Sequence, residues 1–159
     1  MTGNGHQLFG GYAAIAAYPL AVTYGLTGYL LAIGILLGAK APDYLECRFR
    51  SGRRIIPHRT VTHYVPLWVV LLAFSLGGTG LGPAQGVFTL GPVPSEILAG
   101  YAIGGLIHLL LDIPNPMGIP VLLPHKRISL NLWRSGQAEW LLHLVAIPAL
   151  ATHLFFQYA

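Results

Sequence analysis

At 159 residues, with 54% apolar and 9% charged side chains, the chain departs from a soluble domain, in which about a quarter of the residues carry charge. Its net charge of +4 rests on nine Lys and Arg confined to two segments, six from Lys40 to Arg59 and three from Lys126 to Arg134. That segregation excludes a nucleic-acid surface as the simplest reading and matches loops on the cytoplasmic side of a membrane, where basic side chains also attract anionic lipid.

The opening segment, Met1-Thr-Gly-Asn-Gly-His6, carries no basic n-region, so no removable signal peptide is expected. Residues 8–39 are apolar and rich in Gly and Ala, with Pro19 inside. One helix over that run would be about 48 Å long, against a hydrocarbon core of about 30 Å. Two short segments near 7–19 and 22–39 fit better, as a tight hairpin or a re-entrant pair. A basic loop follows, and a third apolar run covers roughly 64–77 with Pro66 near its start. The Gly/Pro-rich, uncharged connection from Gly77 to Pro94 reads as an extracytoplasmic loop. Glu96 to Ile113 forms the fourth span. Pro114, Pro116, Gly118, Pro120 and Pro124 then prescribe irregular backbone. The last span runs from Ala138 to Phe155, with Trp140 and Tyr158 as interface anchors. The fold class is therefore all-α: a single polytopic membrane bundle over residues 1–159 with about five short or full spans. No internal repeat or linker divides it.

The chemistry concentrates at one end of this bundle. His108 and Asp112 lie four apart, so they share one face of a helix, one turn from each other. An imidazole and a carboxylate beside a membrane span are costly without a partner or a metal. With the first run folded as a hairpin, His6, Asp43, Glu46, His58, His63, His108, Asp112 and Glu139 all fall at the same surface. Of the five acids, only Glu96 starts a span at the opposite face. Imidazole plus carboxylate suits Zn²⁺, and Mn²⁺ or Fe²⁺ as carboxylates increase. His58 and His63, five apart, would diverge by about 140° on one helix, so His58 belongs to a loop or cap.

These motifs resemble those of the YdjM-like inner-membrane proteins, described as metal-dependent hydrolases. The match consists of His6 with Gly10, Pro42-Asp43-Tyr-Leu-Glu46, His58-Arg59-Thr-Val-Thr62-His63, Gly104-Gly-Leu-Ile-His108-Leu-Leu-Leu-Asp112, Gly118 and Pro124. The family pattern reads Pro-Asp-x-Asp where this chain has Glu46 one residue later. A more distant similarity, in ligand order, is to the zinc-dependent phospholipase C and single-strand nuclease group. It implies that Asp43, His58, His108 and Asp112 hold one metal, with Asp112 bridging to a second ion shared with His6. A further His of that pattern falls on Gly118 here, and Glu139 with His143 is a partial replacement. The resemblance implies hydrolysis of a phosphate ester, such as a phospholipid or polyprenyl phosphate, at the cytoplasmic face of the inner membrane. His63 or Glu46 would serve as general base. Arg59, with Arg53, Arg54, Lys126 or Arg127, would hold the anionic headgroup.

Competing readings stand beside these. His108 and Asp112 could form a hydrogen-bonded packing pair, His63 could support a ligand without being one, and Glu46 could be a solvated loop acid. Glu139 could neutralise Arg134. Thr62 reads as a structural hydrogen bonder, His125 as an interfacial cation, His153 as structural, and Cys47 as an inert thiol rather than a soft ligand. The same donors would also serve a metal-binding or transport protein without hydrolytic activity.

Overall fold

The computed structural model describes residues 1–46, 55–76, 94–123, 125–137 and 139–158. The expectations placed on Cys47, Arg53, Arg54, Pro124 and most of the Gly77–Pro94 connection lie outside the described residues. Helices dominate: α1 (Gly3–Ala16), α2 (Tyr18–Tyr24), α3 (Leu26–Gly38), the single turn α4 (Ala41–Tyr44), α5 (Val65–Leu76), α6 (Ser95–Asp112) and α7 (Glu139–Tyr158). A 3₁₀ turn covers Val61–His63, and Ile119–Pro120 pairs antiparallel with Arg127–Ile128.

The first apolar run does fold back on itself, but Pro19 is not the break. Pro19 sits in the first turn of α2, where a missing N–H costs nothing. The chain turns at Ala17 and at Gly25, whose φ of 59° places it in the left-handed region. As a result Gly10 of α1 meets Ala39 beyond the end of α3, and Gln7 Nε2 reaches Leu36 O. At the other end of α1, Ala17 packs with Leu31 and Ile35, so the two helices are antiparallel.

The tightest packing is between α3 and α6, which run parallel. Gly34 and Gly38 face Gly100 and Gly104. A Cβ on Gly100 would strike Leu31 O, and one on Gly104 would strike Ile35 O. Small residues let two backbones approach this closely where water supplies no driving force. Trp68 of α5 fills the notch at Gly105, is fully buried, and donates Nε1–H to Thr62 O at 2.8 Å.

Of the five expected spans, two helices reach crossing length among the described residues. They are α6 with 18 residues and α7 with 20, about 27 and 30 Å long. The apolar helices α3 and α5 have 13 and 12 residues, about 20 and 18 Å. No residue of α7 is buried in the protein. It leans on α1 through His143, which stacks on Phe9, and through His153 Nε2, 3.1 Å from Ala16 O.

Candidate metal centre

The parallel α3–α6 pair determines where His108 points. Its Nδ1 lies 2.8 Å from Ala39 O. A carbonyl only accepts, so Nδ1 carries the proton and Nε2 presents a lone pair. One turn on, Asp112 Oδ2 lies 3.7 Å from that Nε2. The α4 turn brings Asp43 Oδ2 to 3.9 Å from it. The 3₁₀ turn supplies His63, whose Nε2 is 3.7 Å from Asp43 Oδ1 and 3.8 Å from Asp112 Oδ2.

Four residues from three segments thus converge, with four donor pairs 3.7–3.9 Å apart. His63 Nε2, His108 Nε2 and Asp43 Oδ1 are buried and have no hydrogen-bond partner, although such atoms are costly to leave unmade. Donors bonded to one ion at about 2.0–2.2 Å would stand roughly 3.3–3.6 Å apart in a tetrahedron. The observed gaps are a few tenths of an ångström wider. Donor chemistry and spacing both fit a divalent metal. His63 also has the required protonation state: burial first, then the nearby His108, His58 and Arg59, lower its pKa to about 3, against an opposing pull from Asp112. At neutral pH it is an uncharged imidazole.

Around this quartet the remaining expected residues take distinct places. His58 lies in the turn before Val61–His63. Its Nδ1 donates to Glu46 at 2.7 and 2.9 Å and sits 3.7 Å from Asp43. Ligand order implied Asp43, His58, His108 and Asp112 around one ion; His63 joins that set through Asp43 and Asp112, while His58 stays on its Asp43 and Glu46 side. Glu46 is no solvated loop acid: it is 1% exposed and also accepts from Arg59 N at 3.0 Å. Asp43, Glu46, His58 and His63 still form a group with donor atoms within 4.8 Å of one another, as do His6, His108 and Asp112. His6 stacks on His108 with ring centroids 3.7 Å apart, and its Nε2 is 3.4 Å from Asp112 Oδ1.

Glu139 does not join. Its carboxylate accepts from Thr2 N, Thr2 Oγ1 and Gly136 N, fastening the start of α1 to the start of α7. Nor does it pair with Arg134, which among the described residues has no carboxylate within ion-pair distance. His143 is turned to Tyr12, with Nδ1 3.2 Å from the hydroxyl. Gly118 has φ 58°, and a Cβ there would meet Ile128 O; its carbonyl accepts from Arg59 Nη1 at 3.4 Å. That position is a backbone turn, which is why no ligand can stand there. Thr62 is structural, with its Oγ1 3.1 Å from His63 Nδ1.

Sequence reasoning missed the far side of Asp112. Oδ1 receives Arg59 Nη2 at 2.8 Å, the Met1 amino group at 2.9 Å and Asn115 Nδ2 at 3.0 Å. Asn115 is buried and takes Ser135 Oγ on its own Oδ1 at 3.2 Å. A signal existed in Asp112-Ile-Pro-Asn115, a polar residue where the helix must break, but it is weak alone. Arg59 itself adopts φ 58°, a conformation that costs a non-glycine residue about 1–3 kcal/mol and turns its side chain into the core.

A family model described as YdjM inner membrane protein matches residues 1–158. The uncharacterized protein YvsG of Bacillus subtilis (strain 168) is 29% identical over 168 residues, covering 98% of this chain and 95% of its own length. No solved structure matches.

Proposed function

The chain belongs to the YdjM inner membrane protein family, and from that premise we propose a membrane-embedded metal-dependent hydrolase acting on a phosphate ester. The observation that carries the reading is the set of buried, partnerless donor atoms His63 Nε2, His108 Nε2 and Asp43 Oδ1 beside Asp112. Asp43 is 37% exposed, so the set has an open side. A purely structural site is closed by its ligands, whereas a catalytic one keeps a position free.

In this reading Asp43, His63, His108 and Asp112 hold one divalent ion, with Zn²⁺ the first candidate. Such an ion lowers the pKa of a coordinated water toward about 7 and polarises the phosphoryl oxygen. The second oxygen of Asp112 already meets the Arg59 guanidinium, so charge balance favours one ion over a bridged pair. His63 then acts as a ligand, and the proton carrier is His58. Its Nδ1–H is held by Glu46, which leaves Nε2 free to accept. Glu46 is a positioning residue, orienting the imidazole and anchoring the Arg59 backbone. Arg59 supplies positive charge beside Asp112. The two basic segments support a cytoplasmic orientation for this end of α6, which would put it within reach of a lipid or polyprenyl phosphate. The shorter α1, α3 and α5 complete the bundle around α6.

The test is metal analysis of purified protein and of Asp112→Ala, followed by turnover on a panel of lipid and polyprenyl phosphates. Stoichiometric metal in the wild type, its loss in the variant, and release of phosphate or headgroup are expected. A wild-type protein without metal ends the reading. Metal retained with no turnover returns the protein to metal binding or transport. In a Cys47→Ser background, Arg127→Cys should react with an impermeant thiol reagent only from the cytoplasmic side.

A further inference from the structure

Next to the donor quartet lies a cavity of about 240 Å³ lined by Arg59, Asn115, Pro116, Met117, Arg134 and Ser135. Among the described residues no carboxylate lines it. Its polar lining consists of two guanidinium groups, an amide and a hydroxyl. The amide and hydroxyl are already engaged: Asn115 with Asp112 and Ser135, and Ser135 also with Met1 O at 3.2 Å. The capacity left over belongs to the two arginines.

Arg59 is 4% exposed. Its Nη2 is bound to Asp112 and its Nη1 reaches Gly118 O, yet its Nε finds no acceptor among the described residues. A buried guanidinium N–H left unmade is costly, more so than a neutral one. Arg134 is the second arginine of the lining. Its backbone is held by a reciprocal turn with Gln137, Arg134 N donating to Gln137 Oε1 at 3.1 Å and Gln137 N donating to Arg134 O at 3.1 Å. Its charge has no carboxylate partner among the described residues.

We infer that this cavity is an oxyanion subsite for a phosphate-class group, held by Arg59 and Arg134. Arg59 would offer its unpartnered Nε–H, and the planar guanidinium fork of Arg134 matches phosphate oxygens with paired hydrogen bonds. The cavity is wide enough for a phosphoryl group. Arg59 joins the cavity to the proposed metal position, because Asp112 touches Arg59 with one oxygen and faces His63 and His108 with the other. An anion seated here lies one side chain away from the metal ligands. The inference rests on the hydrolase reading for its meaning but not for its test.

The experiment is calorimetric titration of the purified full-length protein in detergent with inorganic phosphate, comparing wild type with Arg134→Gln and Arg134→Lys. Arg134 is exposed, so folding should survive, and helical content with bound metal is checked alongside. Arg134→Gln should weaken phosphate at least about tenfold, and Arg134→Lys should recover only part of it, because the fork is lost. Bilayer discs of phosphatidylcholine, with and without phosphatidic acid, then compete for the bound phosphate. Competition by phosphatidic acid identifies a lipid monoester as the natural source. Its failure identifies a soluble phosphate ester, and either result supports the subsite. Equal phosphate affinity in wild type and Arg134→Gln overturns it, as does equal competition by acetate at matched ionic strength. If phosphate binding depends on Arg134 yet no ester is turned over, the subsite stands and the hydrolase reading falls. If turnover occurs with KM unchanged in Arg134→Gln, the reverse holds.

Discussion

Arg59 Nη2 lies 2.8 Å from Asp112 Oδ1, with both side chains buried. The pair therefore separates two tasks on one carboxylate: one oxygen compensates a buried cation, and the other faces His63 and His108. Removing Asp112 should strip the site of a ligand and also strand the guanidinium. Asp112→Ala should cost about 3–5 kcal/mol, the usual penalty for breaking a buried pair. Replacing both partners with apolar groups is often far milder, so Asp112→Ala with Arg59→Met should recover much of the stability and none of the metal. Thermal unfolding in detergent and metal content measure the two effects separately. Recovery of metal in the double variant would show that Asp112 is not a ligand.

Glu46 gives a different test, because it accepts from His58 Nδ1 and Arg59 N and lies 3.4 Å from His63 Nδ1, the ring nitrogen turned away from Asp43 and Asp112. Glu46→Gln keeps the volume and removes the charge. Supports of this kind are worth about 10–100-fold in affinity or activity. A drop of that size in turnover, with metal content kept, is expected. If turnover matches the wild type, Glu46 has no part in orienting His58.

The lowered pKa of His63, about 3 against an ordinary 6.5, has a definite sign. Between those two values the unfolded chain holds the proton and the folded chain does not, so acidification favours unfolding. Metal-free protein should therefore be at its full His63-linked stability at pH 7 and should lose it progressively below about pH 6.5. Unfolding temperatures at pH 7 and pH 4.5 read this directly. His63→Gln should flatten part of the slope, and an unchanged slope in that variant would contradict the burial argument.

The ligand residues were legible because their spacing is local. His108 and Asp112 had to share a helix face, and His58 had to leave any helix that contained His63. Closure of the set was only partly legible. How His63 joins the set while His58 stays on the Glu46 side depends on the 3₁₀ turn and on Glu46 reaching across to hold His58. Arg59 read as a headgroup ligand, and what the sequence did not show is that a left-handed backbone carries its side chain into the core beside Asp112. Within the first apolar run the fold-back was legible but its break points were not: the chain turns at Ala17 and Gly25, while Pro19, the visible interruption, sits in the first turn of α2. Gly118 looked like a missing ligand and proved to be a turn that leaves no room for one.

Helix packing offers the last prediction, since the ligand positions depend on how closely α3 approaches α6. A Cβ on Gly104 would strike Ile35 O and stand 2.8 Å from Ala39 N. The neighbouring Ala39 O is the acceptor that orients His108. Gly104→Ala must push the two helices apart, an overpacking that typically costs about 1–3 kcal/mol, and must draw Ala39 O away from His108. Gly11 is the matched control: it is also helical, but a Cβ there meets nothing within 4 Å. Gly11→Ala should leave stability unchanged or raise it by up to about 1 kcal/mol. Metal affinity should fall in Gly104→Ala and hold in Gly11→Ala. Equal affinity in both would mean that the α3–α6 contact does not set the position of His108.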